Sequence, residues 1–245
     1  MGLNLAKSML LFFLSIIIVM SPPTAAGGGE AIQLFDASVG EDGLPKGWQP
    51  LTFRKVERHT IYRLVEEAGR PTIQAESDRS ASGIIRPFDL DPKVFQTLSW
   101  CWKVKGTISK GDASKKAGDD YAARIYVTFK FDPDKASFFE VAKFKTYKLF
   151  YGEYPPKGAL NYIWANRMKK GGSVPNAYTD RAMMIAVESG EEKVGKWVCE
   201  ERNLYEDYEK LFGESPPNIS GVAIMTDTDN TGESASAAYA DLVLR

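Results

Sequence analysis

The sequence of 245 residues contains one histidine, His59, and two cysteines, Cys101 and Cys199. So few imidazoles and thiols exclude multi-histidine metal centres, most zinc sites and iron–sulfur clusters. Charge of one sign is lacking too. The 31 basic residues meet 32 acidic ones for a net charge of −1, so no broad field gathers nucleic acid or anionic lipid. Nucleophile-elbow, Walker A and dinucleotide-binding fingerprints are missing. A Ser–His–Asp triad would have to use His59, which stands among Lys55, Glu57 and Arg58. The one long apolar run, Met9 to Met20, falls short of the ~20 residues that a spanning helix needs.

That run has the proportions of a secretory h-region. Lys7 precedes it, Ser21-Pro22-Pro23 breaks it, and Thr24-Ala25-Ala26 offers small residues to a signal peptidase. The sequence therefore predicts a signal peptide over 1–26 and a single domain over 27–245, periplasmic or secreted, without a membrane span after cleavage. A short membrane anchor is the alternative reading. In an oxidising compartment Cys101 and Cys199 can pair, although two separate buried thiols fit the sequence equally well.

Past residue 30 the apolar residues alternate with period two between Gly, Pro, Asn and Asp punctuation, which marks strands. The expected strands are 31–36, 60–66, 71–76, 82–88, 97–105, 120–131, 159–166, 181–188, 196–204, 219–226 and 235–244. In the clearest, Tyr121, Ala123, Ile125, Val127, Phe129 and Phe131 share one face, and Asp120, Arg124, Tyr126, Thr128 and Lys130 the other. Two helices interrupt them. Asp132-Pro133 predicts an N-terminus for 134–150, with Phe138, Val141, Ala142 and Leu149 on the apolar side and Lys143, Lys145 and Lys148 solvated. A shorter helix, 205–212, stops at Gly213. The expected fold is mainly β, a two-sheet antiparallel sandwich of jelly-roll type with one or two inserted helices.

Chemistry is expected at three separated stretches. The polar row Asp120, Arg124, Tyr126 suits sugar hydroxyls or an acidic saccharide, against the plainer reading of a cross-strand charge network. Tyr162, Trp164 and Asn166 combine aromatic planes with an amide, or else the rings are core. Asn166 and the loop from Pro175 to Arg181 are expected to form a rim, and Glu200 and Arg202 share a strand face on which they can pair. The acidic turn Thr226–Ser234 starts like a calcium loop, but Ala238 occupies the place of its bidentate glutamate. A Ca²⁺ ion is therefore expected only through distant ligands, with Asp36 and Asp241 meeting if the first and last strands pair. A carboxylate pair drawn from Asp119, Asp120, Glu200, Asp227 and Asp229 would suit a glycosidase. Tyr126 or Tyr162 beside Arg124 would suit a lyase.

Six ordered stretches carry a resemblance: LSWCWKV, KKAGDDYAARIYVTF, LNYIWAN, PNAYTDRAMMIAVESG, WVCEERNLYEDYEKLFGESPP and AIMTDTDNTGESASAAYADL. Together they resemble the bacterial domain-of-unknown-function family numbered 3047, from about Ile32 to Leu244. Between its tryptophans that family often has Arg, where this chain has Cys101. The resemblance implies an exported β-sandwich related in shape to carbohydrate-binding modules, and it carries no established activity. Its motif residues here are Lys116, Gly118, Asp119, Asp120, Arg124, Trp164, Asn176, Thr179, Asp180, Arg181, Arg202, Asp227, Asp229, Asn230 and Thr231. The expectation is a non-catalytic module that binds a glycan or other polyhydroxylated ligand from the cell envelope. Lys116, Asp119, Asp120, Arg124, Tyr126, Trp164, Asn176, Thr179, Arg181, Arg202, Asp227, Asp229 and Asn230 would line its site. The alternatives are a polysaccharide hydrolase or lyase, and an envelope scaffold without a small ligand.

Overall fold

Period-two alternation buries one face of each strand, so two sheets close on each other with their apolar faces inward. The computed structural model describes residues 30–151 and 154–245; the expected signal peptide over 1–26 lies outside them. One sheet is formed by β1 (Ile32–Gln33), β3 (Ile61–Glu67), β4 (Arg70–Asp78), β6 (Thr97–Val104), β11 (Val198–Asn203) and β13 (Ser234–Leu244). Its order is β11-β6-β13-β4-β3, with β1 against the far end of β13. The other sheet is formed by β2 (Gln49–Leu51), β5 (Ala81–Leu90), β7 (Arg124–Phe129), β8 (Gly158–Ala165), β9 (Ser173–Asn176), β10 (Thr179–Ser189) and β12 (Ile219–Asp227). They run in the order β2-β5-β12-β7-β8-β10-β9. All pairings are antiparallel except β8 with β10, which is parallel. The exception arises because β9 crosses to the outer edge first and the chain turns back between it and β8.

The core lies between the sheets. Leu98, Trp100, Trp102 and Val104 of β6 face Ile125, Val127 and Phe129 of β7 and Leu160, Tyr162 and Trp164 of β8. Trp100 meets Tyr162 at 5.3 Å between ring centroids, and Trp102 meets Trp164 at 5.9 Å. Each large side chain so buried stabilises the fold by about 1.5–3 kcal/mol. Cys101 and Cys199 stand opposite each other on β6 and β11, and a disulfide joins them.

The helices correct one expectation and meet the other. The longer helix, α1 (Phe138–Tyr151), begins later than Asp132-Pro133 suggests. A capping box sets its start: the Ser137 hydroxyl accepts from the Glu140 amide, and the Glu140 carboxylate accepts from the Ser137 amide at 3.0 Å. Its expected apolar side is wrong. Phe138 is 81% exposed and Ala142 is exposed, whereas Phe144 is buried and stacks on Phe131 at 3.7 Å. The side chains of Lys143, Lys148 and Leu149 lie outside the described residues. The shorter helix, α2 (Leu204–Phe212), is capped by Asn203 and ends at left-handed Gly213, as expected.

Candidate ligand site

The seven-stranded sheet also buries polar groups on its other face, away from the core. At Ala122 the chain has not yet entered β7, so Tyr121 falls on that outer side with Ile163, Ala165, Met184 and Ala186 rather than inward with Ala123. Alternation along β7 then sends Arg124 and Tyr126 the same way, and Asp227 at the end of β12 meets Arg124.

Arg124 is 4% exposed. Its Nη2 donates to Asp227 Oδ2 and to Met225 Sδ at 3.3 Å. Its Nη1 lies 3.9 Å from Asp119 Oδ1. The guanidinium carbon is 5.1 Å from the Tyr121 ring centroid and 5.3 Å from that of Tyr126, close enough for cation–π attraction. Three turns enclose the group. The first is the 3-10 turn Lys116–Gly118, where a side chain at Gly118 would collide with the Asp112 backbone at 2.7 Å. In the turn between β12 and β13, the amides of Asn230 and Thr231 donate to Asp120, and Gly232 closes the turn at φ 71°. From the β9–β10 turn, Asn176 Nδ2 donates to Asp119 Oδ2 at 2.9 Å. Tyr178 links all three: its hydroxyl donates to Asn230 Oδ1 at 2.5 Å, and the Lys116 carbonyl, 3.3 Å away, is a second, weaker acceptor for the same proton.

The electrostatics are lopsided. Asp119, Asp120, Asp227 and Asp229 surround one guanidinium. Burial pushes the Asp227 carboxyl up against the pull of Arg124, and the neighbouring aspartates push the same way. Burial and Asp120 raise Asp229. Arg124 is held above its ordinary value because the charges of Asp227, Tyr126 and Asp119 outweigh its own desolvation. Tyr126 is pushed up to about 12, mainly by burial.

Hydrogen bonding around Arg124 is incomplete. Among the described residues, seven buried side-chain atoms lack a partner, and five belong to this group: Asp119 Oδ1, Tyr121 Oη, Arg124 Nε and Nη1, and Asn161 Oδ1. The other two are the indole nitrogens of Trp100 and Trp102. Buried polar atoms are ordinarily satisfied, so such a concentration marks a place where water or a ligand completes the bonding.

Nine of the expected residues come together here: Lys116, Asp119, Asp120, Arg124, Tyr126, Asn176, Asp227, Asp229 and Asn230. Thr179 flanks them, its Oγ1 accepting from the Arg181 amide. The others are elsewhere. Trp164 is core, 2% exposed, because its parity on β8 sends it between the sheets. Arg181 reaches the Pro156 carbonyl and lies 5.2 Å from the Phe144 ring, on the α1 side. Arg202 pairs with Asp207 on α2 instead of with Glu200, which meets Lys170. Tyr162 faces inward to Asp207, at 2.8 Å. Sequence reasoning missed Tyr121, Asn161 and Tyr178, although Tyr178 stands in the expected rim. The signal available for Asn161 was an amide alternating with the inward aromatics of β8.

The expected calcium ligands do not converge into a site. β1 does pair with β13, but Asp36 accepts from the Ser38 amide and Asp241 pairs with Arg70 at 2.8 Å. No third acidic ligand joins them among the described residues. Asp120, Asp227 and Asp229 do bring carboxylate oxygens within 4.8 Å of one another. That trio does not fit Ca²⁺, which takes six to eight oxygens: Asp120 and Asp227 already accept N–H donors on both oxygens, and a guanidinium stands among them. At the opposite end of β7, a cleft of about 480 Å³ is ringed by Lys93, Lys130, Lys135 and Lys157. Asp89, Asp132 and Glu214 neutralise three of these lysines.

The family described as Protein of unknown function (DUF3047) matches residues 46–243, and the chain belongs to it. No curated protein matches the chain. Among solved structures, it is similar to the family 11 carbohydrate-binding module of a Clostridium thermocellum cellulosomal cellulase. That match has 11% identity, 89% of this chain and 95% of that one covered, and a TM-score of 0.41. A family 29 carbohydrate-binding module complexed with cellulohexaose gives 9% identity, 87% and 89% coverage, and a TM-score of 0.37. The family 11 xylanase from Neocallimastix patriciarum gives 12%, 84% and 98%, and 0.35.

Proposed function

We propose that this chain is a non-catalytic module that binds a neutral polyhydroxylated ligand, a glycan, at the polar cluster around Arg124. One observation carries the reading: the unpartnered atoms there mix donors and acceptors. Arg124 Nε and Nη1 can only donate, Asp119 Oδ1 and Asn161 Oδ1 can only accept, and Tyr121 Oη does either. A hydroxyl both donates and accepts, so a sugar ring or the water it displaces completes such a set. A carboxylate would answer the donors alone, and four aspartates around one arginine repel it. The acidic saccharide therefore gives way to a neutral one.

The hydrolase reading is weaker because a glycosidase needs two working carboxylates. Asp120 and Asp227 have both oxygens engaged, Asp229 accepts from the Asn230 amide group, and Glu200 pairs with Lys170 on the other sheet, which leaves Asp119 Oδ1 as the buried acceptor without a hydrogen bond. The lyase reading is weaker because Tyr126 holds its proton at neutral pH, and Tyr162 lies on the other face. An exported location belongs to the same proposal, and the Cys101–Cys199 disulfide supports an oxidising compartment.

A glycan array tests the reading on the purified protein, with and without a calcium chelator. Neutral oligosaccharides should be retained in both conditions, and uronic or sulfated ones should not. Retention of acidic glycans alone, or of none, overturns it.

A further inference from the structure

The polar cluster around Arg124 is nearly closed to solvent: Asp119, Tyr121, Arg124 and Asn161 are each at most 5% exposed. A ligand that reaches Arg124 therefore needs an opening, and the enclosing elements are unequally anchored. The β12–β13 turn is held from beneath by Asp120, which is buried and accepts two amides. The 3-10 turn is locked by the contact of Gly118 with Asp112. The β9–β10 hairpin is different. Its strand β9 is a four-residue sheet edge bonded only to β10. Pro175 lacks an N–H, and the ladder breaks between Thr179 and Met183. Two side chains tie its tip to the rest of the site: Asn176, through its bond to Asp119, and Tyr178, through its hydroxyl and the Lys116 ammonium 5.3 Å from its ring. The hydroxyl contacts of Tyr178 are solvent-exposed, and the tyrosine itself is 56% exposed.

We infer that the β9–β10 hairpin is the lid of the Arg124 cluster, that the Tyr178 hydroxyl is its latch, and that the exposed Tyr178 ring meets an arriving sugar. When the latch breaks, Asn176 moves with the hairpin. Asp119 Oδ2 then loses its partner, and both oxygens of that carboxylate face the entrance. The stacking of a pyranose on the ring rests on the glycan reading above; the lid does not.

Chemical labelling separates the two. Phenylglyoxal modifies accessible arginines, and peptide mapping reads each site in the folded, full chain without any sugar. Arg63, with its side chain 55% exposed, serves as the internal standard. Relative to Arg63, Arg124 should react slowly in the wild type. In Tyr178→Phe it should react roughly two- to tenfold faster, the opening shift expected from losing an exposed hydrogen bond, with the melting temperature unchanged. Equal Arg124 rates in both proteins, or an Arg124 as reactive as Arg63 in the wild type, overturn the lid. On the array, Tyr178→Phe should keep any neutral-glycan binding and Tyr178→Ala should lose it. Equal retention by both variants overturns the ring contact while leaving the labelling result to stand.

Discussion

Arg124 and Arg202 each hold an aspartate beside a tyrosine, yet the two triads are built to opposite ends. In the first, Asp227 comes from a strand 103 residues away, and three further aspartates crowd in. Two guanidinium nitrogens, a phenol and an amide oxygen nearby lack a well-formed hydrogen bond, Nη1 having only Asp119 Oδ1 at 3.9 Å. In the second, Asp207 is five residues from Arg202 and takes both of its prongs. Tyr162 donates to the same carboxylate, and no buried atom of the three is left over. The closed triad fastens α2 to β11 and to the core. The open one is the place where the proposed ligand would complete the bonding. Incomplete hydrogen bonding, rather than the residue types, separates a site from a staple.

Substitutions should pull the two triads apart. The largest effect is expected for Asp227→Ala, which removes the close partner of buried Arg124 and leaves it only Asp119 at 3.9 Å. Urea denaturation should register a loss of about 3–5 kcal/mol; a loss below 1 kcal/mol would mean that Arg124 is solvated and the cluster open. Next comes Asn161→Leu, which removes a buried acceptor that has no donor. It should raise stability by about 1–2 kcal/mol while abolishing neutral-glycan retention. Destabilisation would instead class Asn161 with the staple. In the closed triad, Tyr162→Phe should cost about 1 kcal/mol and leave retention unchanged.

The smallest effect concerns pH. Asp229 sits above its ordinary value because burial and Asp120 disfavour its charge. Its contribution to stability is thus fully present below the unfolded pKa and lost as pH rises through the folded one. Asp229→Asn should keep pace with the wild type in acid and melt slightly higher at neutral pH. A melting-temperature difference that does not change with pH would count against the charge surplus.

How legible all this was depended on parity. Alternation and apolarity placed Ile125, Val127 and Phe129 inside and Arg124 and Tyr126 outside, although the expected strand 120–131 shortens to Arg124–Phe129. Parity failed at Tyr121, since nothing local announces that the chain before Arg124 is not yet a strand. Strands β2 and β9 went unseen because they are short sheet edges containing Pro50 and Pro175, which break the pattern that identifies interior strands. Trp164 and Arg202 were misplaced for another reason: period two sorts residues into two faces without saying which face is the core. The late acidic turn was correctly brought to Arg124, because its Asx-rich chemistry requires an exposed loop at a strand end. Arg181 was not, since it lies within the register break of β10, between Thr179 and Met183, and reaches the Pro156 carbonyl instead.

The position of β13 has a consequence for how the molecule is made. It is the last strand in sequence, yet it lies between β4 and β6 and pairs with both. Until it is synthesised and docked, those two strands have bare edges facing a gap, and the Trp100–Trp102 layer lacks its neighbour Tyr239. Such a sheet closes by inserting a central keystone across more than 130 residues, the kind of distant pairing that makes assembly slow. In the interval the unfinished halves are open to pairing with other chains.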